Sequence, residues 1–332
     1  MFIVENYGVA IMLCVVTMLC WGSWANTTKL TSKEWRFELL YWDYGLGILI
    51  TTIILAFTLG SNGTEGRAFL NDLHQADNAN LQSAIIGGVV FNLANILLVA
   101  AIGIAGMSVA FPVGIGIALV LGVVINYLGN PQGNPGLIFS GVALIVVAII
   151  LNARAYQKMQ SSDTTKVSQK GLILSVVSGC LMGLFYKYVA DSMVHSFNTP
   201  EPGKLTPYTA LVFFAIGVVA SSFIFNGLQM WRPFAGEPIK ISSYFSGKMK
   251  DHLVGILGGA IWCVGMSLNI IASGKAGPAV SYGLGQGATV VAAIWGIFVW
   301  REFDKANKDT KSMLNIMLLL YIIGLALIIG SK

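Results

Sequence analysis

Apolar runs of about twenty residues recur along this chain, separated by short polar breaks. A helix needs about 20 mostly apolar residues to cross the hydrocarbon of a bilayer. Ten runs reach that length, at roughly 7–27, 38–60, 82–103, 107–128, 136–153, 171–194, 208–229, 252–274, 277–300 and 312–330. GIAGM alone divides runs three and four, and GKAGP alone divides runs eight and nine, so each pair reads as a tight helical hairpin. The breaks are unequal in charge. Lys29, Lys33 and Arg36 follow run one; Arg154, Lys158, Lys166 and Lys170 follow run five; Arg232, Lys240, Lys248 and Lys250 follow run seven; Arg301, Lys305, Lys308 and Lys311 follow run nine. The opposite side has only Arg67, Lys204, Lys275 and Lys332, and Lys187 lies inside a run. Basic loops stay in the cytoplasm. The expected orientation therefore puts both termini outside it. The start, MFIVENYGVAIMLC, lacks the positive flank and small-residue cleavage site of a signal peptide, so the first run reads as a retained helix.

The runs repeat. At a constant offset of 171 residues and without a gap, Gly87, Gly88, Ala101, Gly103, Ala105, Gly106, Val109, Gly114 and Gly116 meet identical residues in the stretch 256–289, and the hairpin break coincides. Five runs per half is an odd number, so the second half starts on the opposite side of the membrane. The expected fold is an all-α membrane protein of ten transmembrane helices in two inverted five-helix repeats. The halves are 1–153 and 171–332, joined by a cytoplasmic connection at 154–170. Inverted repeats place a solute site near the midplane, where the halves meet.

Composition narrows the class. Of 332 residues, 55% are hydrophobic and 11% charged, against roughly 25% charged in soluble domains. The 38 glycines allow close helix approach. No basic stretch is interleaved with stacking aromatics on a polar face, which argues against nucleic acid as a partner. Cys14, Cys20, Cys180 and Cys263 all lie in apolar runs and form no C-x-x-C pair. His74, His195 and His252 sit in or beside polar connections without metal-ligand spacing. There is no G-x-S-x-G, no H-E-x-x-H and no G-x-x-x-x-G-K-[ST], so neither an enzyme nor ATP use is expected.

Against that apolar background a few side chains stand out. Asp43 lies about one turn inside the second run, in WRFELLYWDYGLG. A carboxylate there costs about 2.5–3.5 kcal/mol by insertion scales, so it faces a cavity or a partner. It is the candidate proton carrier, with Tyr41 and Tyr44 as expected hydrogen-bond donors; the competing reading pairs it with Arg36 or water at the interface. Glu38, at the very start of the run, reads as interfacial. Lys187 and Asp191 share a helix face. Either they neutralise each other, or Lys187 faces Asp43 across the halves as a counter-charge or solute ligand. A polar-aromatic set suits a neutral ligand: Trp21, Trp24, Tyr44, Asn92, Asn95, Trp262, Asn269, Tyr282 and Gln286. Rings stack and amides bond the edges of a sugar or a flat heterocycle. The alternatives are interfacial or packing roles for the tryptophans and interhelical bonds for the amides. Pro112 and Pro278 read as shaping helix ends.

Three stretches carry a resemblance: CWGSWANT in run one, RFELLYWDYGLG in run two, and GGAIWCVGMSLNIIASGKAGPAVSYGLGQGA in runs eight and nine. With ten runs in two halves, they resemble the drug/metabolite transporter superfamily, and within it the bacterial glucose/ribose porter branch, related to the L-rhamnose–proton symporter and plant ureide permeases. The long hydrophilic central loop of plant ureide permeases, with its nucleotide-binding-like motif, is missing here. The resemblance implies uptake of a small polar solute coupled to protons, with no cofactor besides the proton as coupling ion. The leading expectation is a multi-pass symporter of the inner (plasma) membrane carrying a monosaccharide. A ureide, nucleobase or nucleoside importer is the second, and a metabolite or drug exporter the third. Runs five and ten, the least polar, read as peripheral and as a possible homodimer contact.

Overall fold

The computed structural model describes residues 1–159, 168–234, 236–301 and 303–332, without the side chains of Met107 and Ser108. Among the described residues, ten helices are long and apolar enough to cross a membrane. They are α1 (Tyr7–Leu30), α2 (Phe37–Phe57), α3 (Asn78–Ala105), α4 (Met107–Gly129), α5 (Pro135–Met159), α6 (Gln169–Ser192), α7 (Pro207–Trp231), α8 (Met249–Ala276), α9 (Pro278–Val299) and α10 (Lys308–Ile329). A short helix, Phe69–Gln75, lies between α2 and α3, and another, Ser242–Phe245, between α7 and α8.

Capping chemistry sets several starts. Asn6 accepts from Gly8 N at 2.7 Å to begin α1, and Asn307 accepts from Thr310 N at 2.9 Å to begin α10. Pro207 and Pro278 open α7 and α9 at the position where a missing N–H costs nothing. Both hairpin breaks turn on a glycine with positive φ, Gly106 at 79° and Gly277 at 86°. These two are partners in the 171-residue register.

Two expected spans are interrupted. The last seven residues of α1, Trp24–Leu30, tighten into a 3-10 helix. Helix α9 is broken into Pro278–Gly285 and Ala288–Ile294, with a π-helical end Trp295–Val299. The bend falls at Gln286 and Gly287. The connection expected at 154–170 is shorter than read: 154–159 continue α5, 169–170 belong to α6, and 160–167, with Lys166, lie outside the described residues.

Packing follows the repeat register. Helix α3 lies against α6 and α7, and α8 against α1 and α2; α4 packs on α6, and α9 on α1. Exchanging the first five helices for the second five converts each of these pairings into another. The pairs α2–α7, α4–α9 and α5–α10 map onto themselves. The two tightest crossings are chemically alike. A Cβ on Gly88 would collide with the Phe214 carbonyl and one on Gly217 with the Ile85 carbonyl; equally, Gly259 abuts the Tyr44 carbonyl and Gly47 the Ile256 carbonyl. With little hydrophobic force between helices in lipid, such backbone-to-backbone contact supplies the attraction.

Candidate functional site

A cavity of about 450 Å³ opens between the halves. Its deep wall is aromatic. Phe91 and Trp262 stack at 4.3 Å between ring centroids, and Trp21 lies nearly parallel to Trp262 at 5.9 Å and 12°. Trp21 Nε1 donates to the Trp262 carbonyl at 3.2 Å, which ties α1 to α8 behind the rings. The mouth is built from the 3-10 end of α1, the hairpin ends of α3 and α4, the end of α5 and the second part of α9. That is the end of the bundle carrying the Lys/Arg-rich connections. No carboxylate lines the cavity among the described residues, and Lys29 at its rim sits 4.0 Å over the Trp300 ring.

Five of the expected ligand side chains line this cavity: Trp21, Trp24, Asn95, Trp262 and Gln286. Gln286 reaches it because α9 unwinds there. Asn95 Nδ2 donates to Tyr41 Oη at 3.1 Å. The other expected ligands are placed elsewhere. Asn92 is fully buried in a network joining three helices: it accepts from Tyr41 Oη at 2.9 Å and donates to Ser221 Oγ at 2.8 Å. Asn269 accepts from Tyr186 Oη at 2.8 Å and donates to the Ser281 carbonyl at 2.7 Å. Tyr282 donates to the carbonyls of Met182 at 3.0 Å and Ala118 at 3.2 Å. Tyr44 is buried against Trp24, 4.8 Å away, and its hydroxyl has no hydrogen-bond partner among the described residues. Each of these positions follows from helix geometry: residues seven apart share a stripe, but the stripe is wider than the cavity.

Asp43 is buried, but off the cavity wall. Its partners are not Tyr41 or Tyr44, which leave α2 on other faces. They are Tyr244, whose hydroxyl donates to Oδ1 at 2.6 Å, and His252, whose Nδ1 lies 2.9 Å from Oδ2. Burial and the carboxylate it donates to push the Tyr244 phenol above its ordinary pKa, so it stays a donor. The alternative partner Arg36 instead pairs with Glu38 at 2.6 Å; Arg36 stays partly exposed, while Glu38, read as interfacial, is buried. Asp43 thus ties α2 to the start of α8 and to the α7–α8 connection. Tyr44, next in sequence, carries the same helix to the cavity through its contact with Trp24.

Lys187 does not face Asp43. It pairs with Asp191 at 2.6 Å and lines a separate polar pocket of about 200 Å³ at the opposite end of the bundle. A third feature closes that same end. Arg67 Nε bonds the buried Asp72 at 2.7 Å, and Asp72 Oδ2 accepts from Thr206 N at 2.7 Å and Thr206 Oγ1 at 2.9 Å. The α2–α3 connection is thereby latched to the α6–α7 connection. Helix α5, expected to be peripheral, contributes Asn152, Ala153 and Tyr156 to the cavity. Asn152 Oδ1 is a buried acceptor with no partner among the described residues.

The chain matches the ureide permease family over residues 40–170 and 163–331. Among curated proteins it is 24% identical to ureide permease 1 of Arabidopsis thaliana, over 100% of this chain and 99% of that protein. It is 27% identical to the glucose uptake protein GlcU of Bacillus subtilis, over 74% of this chain and 75% of that protein. A solved protein crystal structure superposes with a TM-score of 0.61 at 12% identity, covering 96% of this chain and 95% of its own, a likeness of fold alone.

Proposed function

We propose that this chain, which belongs to the ureide permease family and is a multi-pass membrane transporter, takes up a flat, neutral, amide-bearing heterocycle of the ureide or nucleobase class, coupled to protons. Its place would be the plasma (inner) membrane, with both termini outside the cytoplasm and the cavity open to the cytoplasm. The cavity wall carries this reading. Stacked rings at Phe91, Trp262 and Trp21 accept a planar solute, while Asn95, Asn152 and Gln286 supply edge hydrogen bonds. Among the described residues the wall carries no carboxylate to serve a cation as counter-charge, which speaks against a broad cation exporter.

The same wall supports placing the heterocycle ahead of the monosaccharide. A hexose presents a hydroxyl on nearly every ring carbon, and each needs a partner once desolvated. The wall is mostly apolar and aromatic, with four amide side chains, of which Asn26 is already engaged with the Ser23 carbonyl and Trp300 Nε1. Both lining threonines are already engaged, Thr28 with the Ala25 carbonyl at 2.7 Å and Thr289 with Tyr321 Oη at 2.5 Å and the Gln286 carbonyl at 3.0 Å. The monosaccharide remains the second reading. It is favoured by the bacterial glucose uptake relative and by ring stacking, which a pyranose face also accepts.

For coupling, Asp43 is the proton carrier. Its partners are the His252 ring nitrogen and one fixed donor, Tyr244, so the carboxyl is held by hydrogen bonds from the second half of the chain. Protonation changes what α2 holds at the start of α8, and the same helix reaches the cavity through Tyr44 and Trp24. The halves then rock about the shared site.

Uptake of radiolabelled uracil, allantoin and glucose by cells expressing the full chain tests the proposal. Accumulation of a heterocycle that stops when the proton gradient is collapsed is expected. Glucose accumulation alone would transfer the conclusion to the second reading, and accumulation of none of the three compounds would overturn both.

A further inference from the structure

The polar pocket around Lys187 and the large cavity are built from register-matched residues. At the 171-residue offset, Ile125 of α4 corresponds to Gly296 of α9, Gly129 to Trp300, and Ile102 of α3 to Ser273 of α8. Ile125, Gly129 and Ser273 line the small pocket, and Gly296, Trp300 and Ile102 line the cavity. The final turns of α6 line the first, and the final turns of α1 line the second. One is therefore the counterpart of the other under exchange of the halves, about 200 Å³ against about 450 Å³.

A single layer separates them. Asn269, with its bonds to Tyr186 and Ser281, lies one turn from Ser273 of the small pocket. Phe185, next to Tyr186, is on the cavity wall. On the other flank the Tyr282 ring fills the space beside Gly122, one turn from Asn126 of the small pocket. Above this layer the ring of Phe197 sits directly over Gly274, where a Cβ would collide with it. The loop carrying Phe197 is held by the Met193–Leu205 bridge and by Thr206 on the Arg67–Asp72 latch.

From this arrangement we propose that the small pocket is the outer mouth of the transport path, shut in this state, and that it is a solute-binding site in its own right. Its ligand class is a small neutral solute with both donors and acceptors. Lys187 supplies the donor and Asp191 the acceptor, with the amides of Asn126 and Gln132 beside them. The half-exposed ion pair suits this use, since exposed pairs stabilise little and exchange partners cheaply. Opening requires Phe197 to leave Gly274 and the Asn269–Tyr186–Tyr282 layer to part. The inference rests on the transporter reading but not on the identity of the solute.

The test uses the full chain with its four cysteines replaced by alanine and one cysteine introduced, Asn126→Cys, at a position buried in this state. A membrane-impermeant maleimide applied to intact cells is expected to label it. Absence of label, while Ile102→Cys is labelled in inside-out vesicles, would overturn the proposal. A second readout keeps the native cysteines. Lys187→Gln is expected to raise the half-saturating concentration of externally added uracil about tenfold, and to leave that of uracil presented to inside-out vesicles unchanged. Equal change on both sides, or none, counts against a binding role, because a merely structural lysine would alter both directions together. If the wild-type chain moves no uracil, the solute class in the previous section fails and the labelling result still decides this inference.

Discussion

His252 Nδ1 lies 2.9 Å from Asp43 Oδ2, although 209 positions separate the two residues. The carboxylate is 1% exposed, and its other partner, Tyr244, also comes from the second half of the chain. In the proposed coupling, a proton arriving at this cluster would change a bond between α2 and α8, the pair that meets at Gly47 and Gly259. Asp43→Asn keeps the volume and one hydrogen-bond acceptor but cannot take up and release a proton. Concentrative uptake should be lost, with solute exchange partly retained. Accumulation ratios and counterflow in the same vesicles measure both, and an unchanged accumulation ratio would remove Asp43 from the coupling role.

Trp262 has four aromatic neighbours, Phe91 at 4.3 Å, Trp21 at 5.9 Å, Phe214 at 6.0 Å and Tyr44 at 6.3 Å, and forms part of the cavity wall. Stacking of a base on a protein ring contributes about 1–3 kcal/mol. Trp262→Phe preserves a ring and should weaken binding of a planar solute only a few-fold, whereas Trp262→Leu should cost about 1–3 kcal/mol, a roughly 5–150-fold rise in dissociation constant. A thermal-shift titration with uracil reads the difference, because a ligand stabilises according to its occupancy. Equal affinities for Phe and Leu at this position would argue that the ring does not stack on solute.

Much of this architecture was legible in the chain. Run length gave ten helices because a bilayer fixes how many apolar residues are needed. The 171-residue register pointed to the glycines that now make matching crossings and hairpin turns. The tryptophans at 21, 24 and 262 and the amides at 95 and 286 line the cavity. What the chain withheld is tertiary. Asp43 meets His252 and Tyr244 only because α2 packs on α8 and the Ser242–Phe245 helix folds back over them, and no local spacing encodes that. Asn92 lies three residues before Asn95 on α3, enough of a rotation to send it into a buried network, and Asn269 on α8 enters another with Tyr186 and the Ser281 carbonyl. The break in α9 was hidden as well: Gly285-Gln286-Gly287 reads as flexible, yet hydrophobicity around it stays high enough for a continuous span. Asn152 lay at the end of the run judged least polar, and its signal was a lone amide before Arg154.

The Arg67–Asp72 pair is the next place to probe. Asp72 is fully buried and its carboxylate accepts from Arg67, Thr206 N and Thr206 Oγ1. Removing one member of a buried pair strands the other and costs about 3–5 kcal/mol. Arg67→Met should therefore lower the Tm of the purified chain by several degrees. Adding Asp72→Asn, which removes the stranded charge, should restore part of the loss. A double variant no more stable than Arg67→Met alone would show that the latch is not held by the charge pair.

The matched crossings allow a sharper comparison. Gly88 and Gly259 are register partners, and each faces a carbonyl of the helix it crosses with no room for a side chain. Valine at either position forces α3 from α7, or α8 from α2, so Gly88→Val and Gly259→Val should both abolish the yield of monodisperse protein. Gly103 and Gly274 are also register partners, but their surroundings differ. Among the described residues nothing lies within 4 Å of a Cβ added at Gly103, while one at Gly274 runs into the Phe197 ring. Gly103→Val should be tolerated with a near-normal Tm. Gly274→Val should fold, because a ring can move where a backbone cannot, but it should displace Phe197 from its seat. A Cys at Asn126 should then be labelled from outside faster in the Gly274→Val background than in the parent. Equal labelling rates would show that Phe197 does not restrain the outer mouth.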